Sequence, residues 1–566
     1  MDLKWIIEND IDRDGVHRLA ADLNVPSIIA QILYRRDIHD KEAARKFFHP
    51  ALDQLYDPFL LKDMDKAVER LRRALLSDEE ILIYGDYDVD GITSVSFLFL
   101  LLKELGAHVT YYIPNRQAEG YGLSGQGIEE AKRRHVNLIV TVDCGITGHA
   151  EILMAQAAGI DVIVTDHHEP GPTIPEAVAV VDPKRRDCDY PFKQLAGVGV
   201  AYKFAQGLMQ RMGIDVSILE NFIELVAIGT SADIVPIIDE NRIFVKAGLA
   251  ALNNSENVGL KALIRAAGQQ GREIGTGQVV FIIAPRINAV GRMGDAQRAV
   301  ELLTTKDEYE ADRIAGILER ENQHRKNVDE EAFAEAIRQT EQCFASNSKT
   351  SSIILHKEGW HTGVIGIVAS RVVEKYYRPT ILISVDDGIG KGSARSVPGF
   401  DLYESLKQCE DLFIGFGGHK YAAGLTIAEE NIETFKQRFE AIAEHDLTHE
   451  HLIPKLSIEA EIRLGEIDER FIKLIKMFAP FGPQNMRPVF MSRNLQIVGS
   501  PAVVGKNHLK FRVRQDDKVY DVMAFNMGER LYRLTPGEAN LDMAYVIEEN
   551  VFMGRRSIQL RAKDIR

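Results

Sequence analysis

The most informative stretch of the chain is Ile81-Leu82-Ile83-Tyr84-Gly85-Asp86-Tyr87-Asp88-Val89-Asp90-Gly91. Its first four residues predict a short buried strand, and three aspartates follow directly. Two further apolar runs end in the same way, one at Asp143 and the other at Asp166-His167-His168. Because ligands bind beyond the carboxyl ends of the strands in an open α/β sheet, these acids are expected to meet along one edge of the sheet.

The runs around this stretch predict the sheet itself. Short apolar, β-branched runs alternate with segments long enough for helices, such as 94–105 and 124–134. This alternation is typical of βαβ units with a buried parallel sheet. The predicted strands are 81–84, 108–113, 138–142, 161–165 and 178–181.

The rest of the chain divides by composition. Residues 307–343 contain no proline and a single glycine, which predicts one long solvated helix that joins two α/β domains. Many short alternating runs follow residue 456 and predict a small antiparallel, OB-like barrel. The predicted parts are an N-terminal helical segment (1–75), an α/β domain with a parallel sheet (76–305), a connecting helix (306–344), a second α/β domain (345–447) and the barrel (455–566).

Composition and charge exclude several classes of protein. A chain of 566 residues is too long for one ordinary domain, and 45% hydrophobic residues exclude a disordered or collagen-like protein. Four cysteines without CxxC spacing make a disulfide framework and a zinc ribbon unexpected, so the predicted location is the cytoplasm, with no membrane attachment. The net charge of −15 argues against a nucleic-acid coat protein but not against a nucleic-acid enzyme.

The aspartates at the strand ends suggest a metal site. A single aspartate after a strand is usually a helix cap or a turn residue. Several acids in one crevice would repel each other, and a divalent cation removes that penalty. Asp233, which follows an apolar helix-like segment, is a fourth candidate. Carboxylates with one imidazole suit Mn²⁺ or Mg²⁺ better than zinc, and two such ions can hydrolyse a phosphodiester.

These motifs resemble the four motifs of the DHH phosphoesterase superfamily and, within it, the single-strand-specific DNA exonucleases. The residues that carry the resemblance are Gly85–Gly91, Val142–Gly145, Asp166–His168 and Gly229–Asp233. Gly392–Ser396 and Gly417–Gly424 are similar to motifs of a DHHA1 domain. The pyrophosphatase branch has a histidine at the place of Tyr84, which argues against that branch.

The resemblance implies the catalytic centre. It implies two ions, Mn²⁺ or Mg²⁺, held by Asp86, Asp88, Asp90, Asp143, His167 and Asp233. Asp86 is either a ligand or a partner of one, and His168 is expected to contact a phosphate of the substrate.

The resemblance also implies contacts to the strand. The expected substrate-binding residues are Arg116, Arg286, Ser393, Arg395 and His419. For each arginine a salt bridge is the alternative, and for His419 a structural hydrogen bond. The segment around Arg286 and Arg292 is expected to be too rich in Gly and Asn for a plain helix.

The barrel carries its own candidates for contact with a single strand. Basic residues there could offer charge, and Phe511 and Phe525 are either stacking platforms or barrel core. The basic candidates are Lys506, Lys510, Arg512, Arg514, Arg555 and Arg556.

The expected activity is stepwise 5′-to-3′ hydrolysis of single-stranded DNA to 5′-mononucleotides, in DNA repair and recombination. The expected protein is a monomer, with a helicase and a single-strand-binding protein as candidate partners. A phosphodiesterase for short oligonucleotides or cyclic dinucleotides is the enzyme alternative, but such proteins generally lack the barrel. A non-catalytic DNA-binding scaffold is the other alternative, and the complete set of acids and histidines argues against it.

Overall fold

The structure, a computed structural model, describes residues 3–7, 11–116, 118–293, 295–346, 350–552 and 555–566. The chain forms two compact units. One contains residues 8–320 and 458–566, and the other contains residues 1–7 and 321–457. Among the helices in these ranges, none combines the length and the apolar character that a bilayer span requires.

The N-terminal segment is mostly helical, as predicted, but it begins with a strand that the sequence did not indicate. The buried faces of its first helices pack with the barrel in one hydrophobic core, which includes Leu19, Ile32, Phe490 and Tyr545. The elements are β1 (Lys4–Ile7), α1 (Arg13–Leu23), α2 (Ser27–Tyr34), α3 (Lys41–Phe48) and α4 (Met64–Leu76).

A five-stranded parallel sheet follows, and the predicted strands are confirmed. Its strand order is β3-β2-β4-β5-β6, and every pair is parallel. The central strand β4 and its neighbour β2 are fully buried, as expected for a sheet covered on both faces. The elements are β2 (Ile81–Gly85), α5 (Val89–Glu104), β3 (Val109–Tyr112), α6 (Gly125–Arg133), β4 (Leu138–Val142), α7 (His149–Ala157), β5 (Asp161–Thr165) and β6 (Ala179–Val181).

Helices complete this part of the unit. Residues 279–283 form a π-helix between α12 and α13. The elements are α8 (Gly197–Met212), α9 (Ile223–Ala232), α10 (Asp239–Leu252), α11 (Val258–Ala266), α12 (Thr276–Gln278), α13 (Ala284–Met293) and α14 (Gln297–Thr304).

The expectation that the segment around Arg286 and Arg292 is not a plain helix was wrong. Ala284–Met293 is helical, and its glycine has a packing role: a Cβ at Gly291 would lie 2.6 Å from the carbonyl oxygen of Tyr87. The glycine therefore lets α13 approach the loop that carries the first aspartates.

The long helix is confirmed as α15 (Glu308–Ser346). The unit that contains residues 321–457 has a five-stranded sheet of order β10-β11-β9-β8-β7, in which only β7 and β8 are parallel. Its elements are β7 (Ile353–Glu358), α16 (Thr362–Tyr376), β8 (Thr380–Asp386), β9 (Ile389–Arg395), α17 (Leu402–Lys407), β10 (Phe413–His419), β11 (Ala422–Ala428), α18 (Ile432–Asp446) and β12 (Lys455–Ile458), which pairs with β1.

The C-terminal segment forms the predicted barrel, but it is not purely antiparallel as expected, because residues 521–524 pair in parallel with residues 559–562. Its strand order is β13-β14-β15-β16-β18-β17, and pairing of β14 with β17 closes it. The elements are β13 (Ala460–Glu461), α19 (Glu469–Met477), β14 (Phe490–Val504), β15 (His508–Gln515), β16 (Lys518–Ala524), β17 (Ala539–Phe552) and β18 (Arg555–Ile565).

Candidate metal centre

The strand register places a row of carboxylates at one edge of the parallel sheet. The last residues of four neighbouring strands are in register: Gly85, Val142, Thr165 and Val181. An aspartate follows each of them: Asp86, Asp143, Asp166 and Asp182. The carboxyl ends therefore meet as expected for an open α/β sheet.

Asp88 and Asp90 reach this edge from the start of α5. The sequence suggested a helix over 94–105, but α5 begins at Val89, because the Asp88 carboxylate caps it. Oδ1 of Asp88 accepts from the backbone N–H of Asp90 at 2.9 Å and of Gly91 at 3.1 Å. Asp90 thus lies in the first turn of α5.

A close backbone approach fixes this loop. A Cβ on Gly91 would lie 2.5 Å from the carbonyl oxygen of Asp86 and 2.7 Å from its backbone nitrogen. Only glycine fits, so the start of α5 is held against the end of β2. Asp143 adopts a left-handed conformation, with φ at 60°, at the end of β4. Such backbone is uncommon outside glycine, and aspartate is among the residues that tolerate it.

The side chains form three overlapping groups whose ligand atoms lie within 4.8 Å of one another. The groups are Asp86, Asp88 and Asp143; Asp90, His167 and Asp233; and Asp143, His167 and His168. The structure therefore brings together all seven residues proposed for the catalytic centre. Asp233 comes from the C-terminal end of α9, far along the chain from the aspartates at the sheet edge.

His167 has the orientation of a metal ligand. Its Nδ1 lies 3.0 Å from the carbonyl oxygen of Leu195, so the N–H is at Nδ1 and Nε2 carries a lone pair. Nε2 lies 3.1 Å from Asp143 Oδ1 and 3.7 Å from Asp233 Oδ2. Burial lowers the pKa of His167 to about 3, which keeps the imidazole neutral. A backbone carbonyl that fixes the ring tautomer is the usual partner of a ligating histidine.

The carboxylates lie in a strongly unfavourable environment for several negative charges. Burial and the charge of Asp88 raise the pKa of Asp90 to about 7. Burial raises the pKa of Asp143 and Asp233 as well, and Asp90 is the largest charge that adds to the shift in both. Two backbone N–H groups at the start of α8, of Gly197 and Val198, offset part of this cost at Asp90, at 2.6 and 2.9 Å.

Several atoms of these side chains have no hydrogen-bond partner in the described part of the chain. They are Asp86 Oδ1, Asp143 Oδ1, His167 Nε2 and Asp233 Oδ2, and all are buried. Buried polar atoms are normally satisfied, and these four are all electron-pair donors. Hard, mainly oxygen donors with one imidazole fit Mn²⁺ or Mg²⁺.

Asp166 has a different role from the other aspartates. Its Oδ1 accepts from the His167 N–H at 2.7 Å and contacts Nδ1 of His168 at 2.7 Å, and its Oδ2 accepts from the Ile146 N–H at 2.9 Å. Burial disfavours the charged form of His168, but the bond to Asp166 outweighs it and raises the pKa of His168. His168 is therefore held as a hydrogen-bond donor next to the acidic cluster.

A cavity of about 300 Å³ opens beside Asp88 and Asp233. Its wall combines carboxylates with two guanidinium groups, and the Arg116 guanidinium lies 5.2 Å from the centre of the Tyr87 ring. Polar and charged groups that converge next to a metal site are typical of a substrate pocket. The lining residues are Tyr87, Asp88, Arg116, Ala232, Asp233, Ile234, Asn288, Gly291 and Arg292.

The other predicted substrate contacts have different surroundings. Arg286 is 8% exposed, and its guanidinium contacts the Glu319 carboxylate and the Ile282 carbonyl. This is the salt bridge that the sequence left open as the alternative. In the other unit, Arg395 contacts the Ser393 hydroxyl at 3.2 Å, and His419 is exposed at the end of β10.

Sequence reasoning missed Tyr121 and the Leu195 carbonyl. The Tyr121 hydroxyl lies 3.2 Å from the Asp143 carbonyl oxygen, to which it donates, and 3.0 Å from Nδ1 of His168. The Tyr-Gly pair at 121–122 follows a strand and was a usable signal for Tyr121. A backbone carbonyl such as that of Leu195 leaves no signal in the sequence.

Three family models match the chain. The DHH family N-terminal domain matches residues 80–230, the DHHA1 domain matches residues 348–445, and the RecJ OB domain matches residues 458–564. The expected domain types are therefore confirmed.

Relatives match nearly the whole chain. The single-stranded-DNA-specific exonuclease RecJ of Bacillus subtilis is 39% identical over 99% of this chain and 70% of its own length. The crystal structure of RecJ from Thermus thermophilus with Mn²⁺ is similar with a TM-score of 0.85 and 30% identity, over all of this chain and 79% of that one. The same protein with Mg²⁺ gives a TM-score of 0.79 and 29% identity, over all of this chain and 78% of that one.

Proposed function

Because the chain belongs to the RecJ family of single-stranded-DNA-specific exonucleases, we propose that it removes 5′-mononucleotides stepwise from the 5′ end of single-stranded DNA. Membership in the family makes the chain a metal-dependent exodeoxyribonuclease. The direction of digestion, the number of ions and the role in the cell are the parts that we propose.

The observation that carries the proposal is the set of unpartnered, buried electron-pair donors at the sheet edge. We infer that two ions, Mn²⁺ or Mg²⁺, are held by Asp86, Asp88, Asp90, Asp143, His167 and Asp233. When bound, such ions lower the pKa of an attacking water and neutralise charge on the phosphate. Without a cation, the same carboxylates destabilise the fold through repulsion, which supports a metal as the resident group.

The remaining polar groups act on the substrate. His168 is oriented by Asp166 and donates a hydrogen bond to an oxygen of the scissile phosphate. Arg116 lines the cavity next to Asp88, so its guanidinium is suited to bind an anionic phosphate of the nucleotide in that cavity. Ser393, Arg395 and His419 are the further residues proposed to contact the strand. Arg286 instead acts through its buried ion pair as a residue that positions α13.

The surroundings of the enzyme in the cell complete the proposal. We infer that it works as a cytoplasmic monomer in DNA repair and recombination, on single strands that a helicase exposes and a single-strand-binding protein covers. The enzyme alternative, a phosphodiesterase for short oligonucleotides, is disfavoured by the barrel at residues 458–564, which offers further surface to a long strand.

A 5′-labelled oligonucleotide tests the proposal. With Mn²⁺, the parent protein is expected to release labelled mononucleotide from the first turnover, and EDTA or Asp143→Ala is expected to abolish release. Asp517→Ala, which removes an exposed carboxylate in the turn between β15 and β16, is the matched control and should leave the rate unchanged. If label stays in long products while the strand shortens, the direction is wrong. If neither end is degraded with either ion, the nuclease proposal is wrong.

A further inference from the structure

One face of the helix that contains residues 279–293 remains accessible in the folded chain. Phe281, Pro285, Asn288 and Arg292 are partly or fully exposed, whereas the residues between them are largely buried. Their spacing of four, three and four residues places them on one side of a helix. We call these four residues, of which Phe281 lies in the π-helix and the others in α13, the exposed stripe.

The stripe begins at the metal centre. Asn288 and Arg292 line the cavity together with Asp88 and Asp233. Phe281 lies seven residues before Asn288, which is about 10 Å along the axis at a rise of about 1.5 Å per residue. This distance corresponds to about three nucleotides at a stacked spacing of about 3.4 Å, and to fewer in an extended strand.

Phe281 itself is an unusual surface residue. Its side chain is 79% exposed, while its neighbours Val279 and Ile283 are fully buried against the core. It lies in the π-helix Val279–Ile283, which packs against α9, the helix that delivers Asp233. Single π-helical turns inside α-helices occur frequently at functional sites, because the extra residue changes the direction of the side chains around it.

We propose that Phe281 is a stacking platform for a base of the single strand, a few nucleotides away from the nucleotide at the metal centre. Aromatic faces accept any base, which suits an exonuclease that must digest every sequence. The stripe also supplies two polar groups for the sugar-phosphate backbone of the strand: the amide of Asn288 and the guanidinium of Arg292. This inference rests on the proposed function, because it takes the strand in the cavity as single-stranded DNA.

Substitutions at Phe281 separate stacking from packing. Phe281→Ala removes the ring, Phe281→Leu keeps an apolar side chain without an aromatic face, and Phe281→Trp keeps the face. Tyr309→Ala is the matched control, because Tyr309 is 80% exposed on α15 and is not part of the stripe. For a twenty-nucleotide strand, Phe281→Ala and Phe281→Leu are expected to raise KM by about tenfold, whereas Phe281→Trp and Tyr309→Ala leave it near the parent value. For a dinucleotide, which at the stacked spacing ends before Phe281, no variant is expected to change KM.

An abasic scan identifies the contacted base. Twelve-nucleotide strands with one abasic position each are bound to Asp143→Ala protein with and without Phe281→Ala, and the dissociation constants are compared. One abasic position is expected to weaken binding about tenfold when Phe281 is present and to have no effect when it is replaced. If every abasic position has the same effect in both proteins, or if KM for the long strand is unchanged in Phe281→Ala, Phe281 does not stack on a base.

The outcomes distinguish this inference from the proposed function. If the parent digests single strands from the 5′ end and the scan shows no position that depends on Phe281, only the stacking inference fails. If the parent releases no nucleotide but the scan finds such a position, the chain binds single strands without degrading them, and the proposed function fails. Absence of any single-strand binding overturns both.

Discussion

Nε2 of His167 lies 3.1 Å from Oδ1 of Asp143, and neither atom has a hydrogen-bond partner among the described residues. The N–H of His167 is at Nδ1, toward Leu195, so both facing atoms are lone-pair donors. Two such atoms repel unless a cation lies next to both. Adjacent ligands of an octahedral ion with bonds of about 2.1 Å are about 3.0 Å apart. The observed distance therefore suits two neighbouring ligands of one ion.

Asp143→Asn tests this pair. The parent protein is expected to gain thermal stability with Mn²⁺, by about 2.7 kcal/mol when free Mn²⁺ is one hundred times its dissociation constant. The variant removes the charge that faces His167, so this gain is expected to be lost. A Mn²⁺ titration followed by differential scanning fluorimetry measures both. Asp517→Asn, at an exposed turn, should keep the full gain. An undiminished gain in Asp143→Asn would show that Asp143 is not a ligand.

Asp166→Asn tests the separate role of the aspartate that precedes the two histidines. Its carboxylate accepts hydrogen bonds from the backbone of Ile146, His167 and His168 and holds the His168 ring. An amide presents N–H to one of these donors, so we expect His168 to lose its orientation and kcat to fall by about 10- to 100-fold. Steady-state digestion of a 5′-labelled strand at saturating concentration measures the loss. The stability gain with Mn²⁺ should largely remain, because Asp166 belongs to none of the three ligand groups. Parent-like kcat would refute the orienting role.

Gly91→Ala tests the close approach that builds the first part of the site. The added Cβ would lie 2.5 Å from a backbone oxygen of Asp86, which cannot move without displacing the strand end. We expect destabilisation by about 1–3 kcal/mol and a loss of Mn²⁺ binding, as measured by denaturant unfolding and the Mn²⁺ titration. Gly277→Ala is the control: a Cβ there meets no atom within 4 Å, and the residue lies in α12. That substitution should leave activity unchanged and stability equal or slightly higher. Equal behaviour of the two variants would contradict the packing argument.

The sequence predicted the parallel sheet well, because its signal is local. Apolar runs such as 138–142 mark buried strands, and an aspartate directly after a run marks the edge at which they meet. The same reasoning placed Asp86, Asp143 and His167 together, and the register of the strands explains why.

Other features depended on tertiary contacts and could not be predicted. The helix around Gly291 packs its glycine against the Tyr87 carbonyl, and helix propensity alone does not reveal this contact. The strand Lys4–Ile7 exists because it pairs with β12, which lies far along the chain from it. Phe511 and Phe525 are two phenylalanines close together in the sequence of the barrel, so the sequence does not distinguish them. Only the fold shows that the first is 3% and the second 44% exposed.

Arg242→Ala is expected to weaken the packing of the C-terminal segment against the helices around the parallel sheet. The guanidinium of Arg242 is 2% exposed and donates to the backbone carbonyls of Phe47 and of residues 477–480. Removal leaves these carbonyls without a donor and opens a cavity, so we expect a loss of at least about 3 kcal/mol of stability.

Arg242→Lys is expected to lose almost as much stability. An ammonium cannot donate to the carbonyls of Phe47 and of residues 477–480 at once, as a planar guanidinium does. Arg18→Ala, at a side chain that is 72% exposed, should change the stability by less than about 0.5 kcal/mol. Urea unfolding monitored by fluorescence measures all three. A stability of Arg242→Ala within about 1 kcal/mol of the parent would show that the carbonyls find other donors.

The last prediction compares two phenylalanines of the barrel. Phe525→Ala is expected to change DNA binding, and Phe511→Ala is expected to change stability. Phe525 is exposed beside Arg561, whose guanidinium lies 5.1 Å from its ring centre, and His508, whose ring centre is also 5.1 Å away. An exposed ring among basic side chains suits a stacked base, so Phe525→Ala should weaken binding of a fifty-nucleotide strand by about tenfold without changing stability. Phe511 is buried in the barrel core, so Phe511→Ala should cost about 3–5 kcal/mol and affect binding only through unfolding. Fluorescence anisotropy and urea unfolding separate the two quantities. If Phe525→Ala binds the strand as tightly as the parent, the barrel contacts DNA elsewhere, because the stability control shows that the fold is intact.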